Sequence, residues 1–258
     1  MNRTSKLLRT ATLSLALSVG TLLALPTASY AAASAAGANA NAESAFCSGL
    51  SAKAASASSK LVTLKANLAT AQSKRLPNLQ ANWAKWDASL ANLRAQWNQN
   101  RQTQYALLNT KATTAAEKAA VTTYQTTLTA AIDARESAND TARATYRSGV
   151  TALVTAQQAR VNARVATLTS SVTAALNTAE ASCSANSGAA TRATLQTALK
   201  TARTTYTADR QPDGTIKTQV QALAQARITA EQKNDATFQA VAKAAATTLK
   251  STFPAGTN

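Results

Sequence analysis

The chain has 258 residues, 45% hydrophobic by type but only 4% aromatic, with 27 Lys and Arg against 11 Asp and Glu and no histidine. The missing imidazole excludes Ser-His-Asp and Cys-His triads, histidine acid–base chemistry and histidine-ligated zinc. Seven glycines with no phosphate-loop or dinucleotide spacing leave no nucleotide fingerprint, and the formal charge of +16 directs attention to anionic polymers or membrane surfaces rather than to a fold.

Residues 1–31 read as a secretory signal peptide. Arg3, Lys6 and Arg9 form its positive start, Ala11 to Leu25 its apolar run, and Ser29-Tyr30-Ala31 a small-x-small cleavage site. The apolar run is shorter than the ~20 residues of a membrane helix, and no later stretch is apolar enough for integral membrane insertion. Loss of the three cations leaves +13 on an exported protein, where one intramolecular disulfide, Cys47–Cys183, is chemically allowed. Residues 32–42 are small and polar without period, and are expected to be a disordered leader.

From residue 43 to 253 the expectation is a single all-α domain. It is an elongated antiparallel three-arm helical bundle of coiled-coil type, with arms 43–110, 115–183 and 190–253 and a tail 254–258. Alanine favours helix, and no run of β-branched residues alternates as a strand does. At ~1.5 Å per residue each long arm spans roughly 100 Å. The first arm places Leu61, Leu64 and Leu68 at 3–4 spacing. Next, where the seam shifts at Pro77, comes a heptad line through Leu76, Leu79, Trp83, Trp86, Leu90, Leu93 and Trp97. The three tryptophans are expected in the core. The alternative is a set of stacking platforms for single-stranded nucleic acid. Proline inside a helix removes a hydrogen bond, so one bent helix through Pro77 is favoured over a restart there.

Thr114-x-x-Glu117 is a capping box that starts the second arm. Residue 115 is also the midpoint of Cys47 and Cys183, so folding back about this turn brings the two cysteines together. Gly149 is a tolerated weak point of about 1 kcal/mol. Ser184–Gly188 and Gln211-Pro212-Asp213-Gly214 are turn signals. Antiparallel pairing gathers Pro77, Gly149 and Pro212 into one zone, where bends are expected.

The charge is lopsided: nine cations between Lys53 and Lys111 face Asp87 alone. Lys53, Lys60 and Lys74 share one heptad position and Arg94 and Arg101 another. They read as a basic stripe for phosphate-bearing polymers. Glu136-x-x-Asn139-Asp140 repeats as Glu231-x-x-Asn234-Asp235, and pairing about residue 186.5 sets Asn139 opposite Asn234. The expectation is an asparagine layer that fixes register, with the carboxylates at its rim near Arg94 and Arg135. The competing reading is a Ca²⁺, Mg²⁺ or Mn²⁺ site at Glu136, Asp140, Glu231 and Asp235.

With Phe46-Cys47-x-x-Leu50, the tryptophan-bearing heptad line and Thr114-x-x-Glu117-Lys118-x-Ala120-Val121 on the page, the chain resembles the secreted, alanine-rich helical proteins of small-genome bacteria. That resemblance implies export and helix, and carries no activity over. The sequence thus leads to an exported, non-enzymatic helical scaffold or interaction protein without cofactor. Its basic first arm would dock on an anionic polymer or a protein at the cell envelope. An exported holdase chaperone or an amphipathic lipid-binding protein is the alternative.

Overall fold

A computed structural model describes residues 44–183, 188–208 and 213–253. Every regular element among them is helical: α1 (44–48), α2 (Leu50–Lys111), α3 (Ala115–Ser182), α4 (Gly188–Ala208) and α5 (Asp213–Thr252). The expected signal peptide, the leader, most of the turn Ser184–Gly188, Pro212 and the tail lie outside the described residues. The all-α reading holds. Pro77 lies inside α2, which continues through it as one helix.

The joint between α2 and α3 follows from three side chains. The Glu117 backbone N–H donates to Thr114 Oγ1 (3.1 Å), and the Thr114 N–H donates to Glu117 Oε2 (2.9 Å), which is the reciprocal capping box. Glu117 Oε2 also accepts from the N–H and the hydroxyl of Thr113, at 2.8 and 3.0 Å. These donors hold the buried Glu117 carboxyl below its ordinary value, the Thr114 N–H contributing most.

The described chain sorts into two compact units. The first takes the residues up to Lys74 together with Thr155–Lys217. Its core joins Leu50 and Leu61 of α2, Leu168, Val172 and Leu176 of α3, and Leu195 and Leu199 of α4. Each such leucine or valine contributes roughly 1.5–3 kcal/mol by leaving water. Cys47 and Cys183 close this unit, with sulfurs 2.07 Å apart, at disulfide distance. Gln72 donates to Asn162 at 3.0 Å, and Gln158 to the Gln72 carbonyl at 3.1 Å.

The second unit takes Arg75–Val154 and the residues from Thr218 onward. Val121, Ala112 and Leu249 form its dry end, with Leu108, Tyr124 and Phe253 packed on them. Gly149 has a specific role here. A Cβ at this position would lie 2.8 Å from both Cδ atoms of Leu223, so the missing side chain is what lets α3 and α5 approach.

The tryptophan expectation is corrected in this unit. Trp86 and Trp97 are exposed and Trp83 is only partly buried. The residues of α2 that turn inward follow the apolar line at Leu76, Leu79, Trp83 and Leu90 and leave it beyond, where Arg94, Arg101, Tyr105 and Leu108 take the inward face. The cause is the middle of the unit, which is filled by ion pairs rather than indoles.

Candidate functional site

Two features have functional chemistry, and each lies within one unit. The first is the cationic surface of the first unit. Over residues 44–74, 155–183 and 188–208 there are nine cations: Lys53, Lys60, Lys65 and Lys74 on α2, Arg160 and Arg164 on α3, and Arg192, Lys200 and Arg203 on α4. The sole carboxylate in those ranges is Glu180. All five lysines are exposed. Lys53 Nζ sits 5.3 Å from the Phe46 ring centroid, and Arg164 stacks on Tyr206 at 4.5 Å while donating to its carbonyl. The remaining lysine heads are free to meet an external anion.

The second feature is the ionic middle of the second unit. Arg94 holds Asp140 through two hydrogen bonds of 3.0 Å and reaches Glu136 at 3.1 Å. Arg143, itself buried, bonds Asp140 and lies 3.8 Å from Glu231, which Arg227 grips at 2.9 Å. Arg147 makes a fork-to-fork pair with Asp87 at 2.7 Å, and Arg135 lies 3.9 Å from Asp235. Three of these guanidinium groups surround one ring: Arg143, Arg147 and Arg227 stand 5.7–5.9 Å from the Trp86 centroid. Hydrogen bonding from Arg94, then from Arg143, lowers the Asp140 carboxyl below its ordinary range, and the Arg147 bond does the same for Asp87.

This network corrects the basic stripe. Arg94 and Arg101 do not lie with Lys53, Lys60 and Lys74 on an open surface. Arg94 is committed to Asp140 and Glu136, and Arg101 is partly buried and donates to Asn98. The charge line broke because Glu136 and Asp140 on α3 attract the guanidinium inward, a pull that spacing along α2 alone does not reveal.

The polar repeat is brought together as expected. Asn234 Nδ2 donates to Asn139 Oδ1 at 2.9 Å, and both side chains are partly buried. Each carboxylate of the competing metal reading has an arginine partner instead: Glu136 and Asp140 have Arg94, Glu231 has Arg227, and Asp235 has Arg135. Among the described residues no three Asp, Glu or Cys side chains converge on a point that could hold an ion. A groove of about 630 Å³ between α3 and α4 is lined by Ala, Ser, Thr and Leu195, without a titratable side chain.

Sequence reasoning missed Arg143, Arg147 and Arg227 as a set. Their signal was available: Arg143 and Arg147 are four residues apart on one helix face, and pairing about 115–117 sets them opposite Asp87. Among the described residues no helix is long and apolar enough to cross a membrane. Comparison with protein-family models, with curated proteins and with solved structures returned no match.

Proposed function

We propose that this is an exported, non-enzymatic helical scaffold that docks on an anionic cell-envelope polymer through the lysine surface of its first unit. One observation carries the reading. Over residues 44–74, 155–183 and 188–208 of the first unit nine cations stand against Glu180, whereas in the second Arg94, Arg147 and Arg227 are each paired with a carboxylate. An unmatched positive field on exposed, flexible lysines raises the local concentration of polyanions and speeds their encounter. Lys53, Lys60 and Lys74 remain the residues assigned to that contact, and Arg94 and Arg101 are withdrawn from it.

The test is titration of the protein with inorganic polyphosphate at several salt concentrations. Tight binding at low salt that weakens steeply as salt rises is expected. Lys53→Glu, Lys60→Glu and Lys74→Glu together are expected to weaken it at least about tenfold, since each substitution moves the local charge by two units. Binding unchanged by the triple substitution would remove the reading. Suppression of client aggregation without polyphosphate binding would hand the function to the holdase alternative, and loss of tertiary packing on vesicles would hand it to the lipid carrier.

A further inference from the structure

The cations of the first unit are not spread evenly around it. In α4 the buried face is Thr191, Leu195, Leu199 and Ala202. Thr194, Ala198, Thr201 and Thr205 lie on one flank of that face and line the groove against α3. At roughly 3.6 residues per turn, Arg192, Lys200 and Arg203 fall on the opposite flank, the one beside α2. In α2 the order is mirrored. Gln72, bonded to Asn162 and Gln158 of α3, marks the flank toward α3, and Lys65 shares it. Lys53, Lys60 and Lys74 recur at heptad spacing on the other flank of Leu61, Leu64 and Leu68, beside α4.

Depth along the unit matches as well. Gln158 stands opposite Gln72, and Thr191 donates to the Ser182 carbonyl at 3.2 Å, so α2 and α4 run parallel on either side of α3. Tyr206 accordingly packs on the cluster of Leu64, Leu68 and Val165. The same register sets Lys60 level with Arg203, and Lys53 between Arg192 and Lys200. Two cationic rows thus border one groove, and Lys74 carries the α2 row past the end of α4, about 30 Å from Lys53. Neither α4 nor α2 as far as Lys74 carries a carboxylate. A groove walled on both sides by one sign of charge concentrates the field along its length.

We propose that the α2–α4 groove of the first unit seats a single strand of a linear phosphate polymer lengthwise, with α4 supplying one of its two rows of contacts. The proposal rests on the docking reading above and adds the residues of α4 and the direction of the chain. A phosphate polymer carries its charge on the backbone, with free oxygens on both sides, so both rows reach it at once. Arg192 and Arg203 add forked donors that match a phosphate. The exposed side chains among the rows are Ser56, Thr63, Asn67 and Gln196. They suit a hydrated strand and give a bilayer nothing apolar to bury.

The experiment is titration of the full chain with long-chain inorganic polyphosphate over a salt series. The wild type is compared with Lys60→Gln, Arg203→Gln and Lys65→Gln, each of which removes one charge from an exposed position. Lys60→Gln and Arg203→Gln are each expected to weaken binding at least about threefold at low salt. Each should also lower the slope of log K against log salt by about one. Lys65→Gln, on the flank toward α3, is expected to leave the slope unchanged. A slope indifferent to Arg203→Gln, or lowered as much by Lys65→Gln, overturns the groove and leaves polymer docking standing. Absence of salt-sensitive binding by the wild type overturns both. Vesicles of anionic phospholipid form the second arm. Binding to them as tight, per phosphate, as to polyphosphate overturns the strand and assigns the surface to a membrane.

Discussion

Thr114 and Glu117 show how much one turn can depend on two side chains. The Thr114 hydroxyl satisfies an N–H that the first turn of α3 leaves open, and Glu117 collects three donors from Thr113 and Thr114. Thr114→Ala is expected to cost about 1 kcal/mol of stability, read as a lower urea midpoint with unchanged slope. Gly149 is the other residue whose identity is set by a neighbour. An alanine there gains up to about 1 kcal/mol of helix propensity, but its Cβ meets both branches of Leu223 at 2.8 Å. Crowding of this kind costs about 1–3 kcal/mol, so Gly149→Ala is expected to destabilise the wild type. In a Leu223→Ala background the clash is gone, and the same change is expected to stabilise; a double-mutant cycle measures the reversal.

At the scale of the helix, α2 carries two lines that part beyond Leu90. The apolar one runs on through Leu93 and Trp97, and the inward one through Arg94, Arg101 and Tyr105. Helix and heptad were legible from spacing. Which line faces in was not, because the carboxylates that draw Arg94 inward belong to α3, 42 and 46 residues away. The ionic middle also sets a pH dependence. Asp140 and Asp87 have folded-state values lowered by Arg94 and Arg147, so their stabilising effect is complete above the ordinary carboxylate range. It is lost as pH falls below about 4 and through the lowered values. Urea midpoints taken from pH 7 down to pH 2 are expected to fall on the acid side, and to fall less for Asp140→Asn than for the wild type.

For the molecule as a whole, the Cys47–Cys183 pair spans 136 positions while both partners belong to the first unit. In the chain-entropy view, closing a loop of that length stabilises by about 4–5 kcal/mol. Reduction with a thiol reagent is therefore expected to lower the denaturation midpoint strongly. Hydrogen exchange should report the loss at Leu176, Ala179 and Leu195, which pack beside the pair. Oxidised and reduced protein with the same midpoint would show that the staple contributes nothing.

What the sequence determined by itself was local or symmetric. Alanine-rich composition set the helices, Thr114-x-x-Glu117 set the first reversal and paired Cys47 with Cys183, and counting outward from the second turn, about residue 186.5, paired Asn139 with Asn234. Both kinds of information survive projection onto one dimension: propensity acts within a few residues, and antiparallel pairing keeps a constant sum of positions. Only the tertiary structure decided the division into two units, the closeness of Gly149 to Leu223 and the fate of the tryptophans and arginines. Those outcomes depend on which groups compete for the same interior. A guanidinium with a carboxylate waiting across the bundle displaced an indole that hydrophobicity alone would have placed inside.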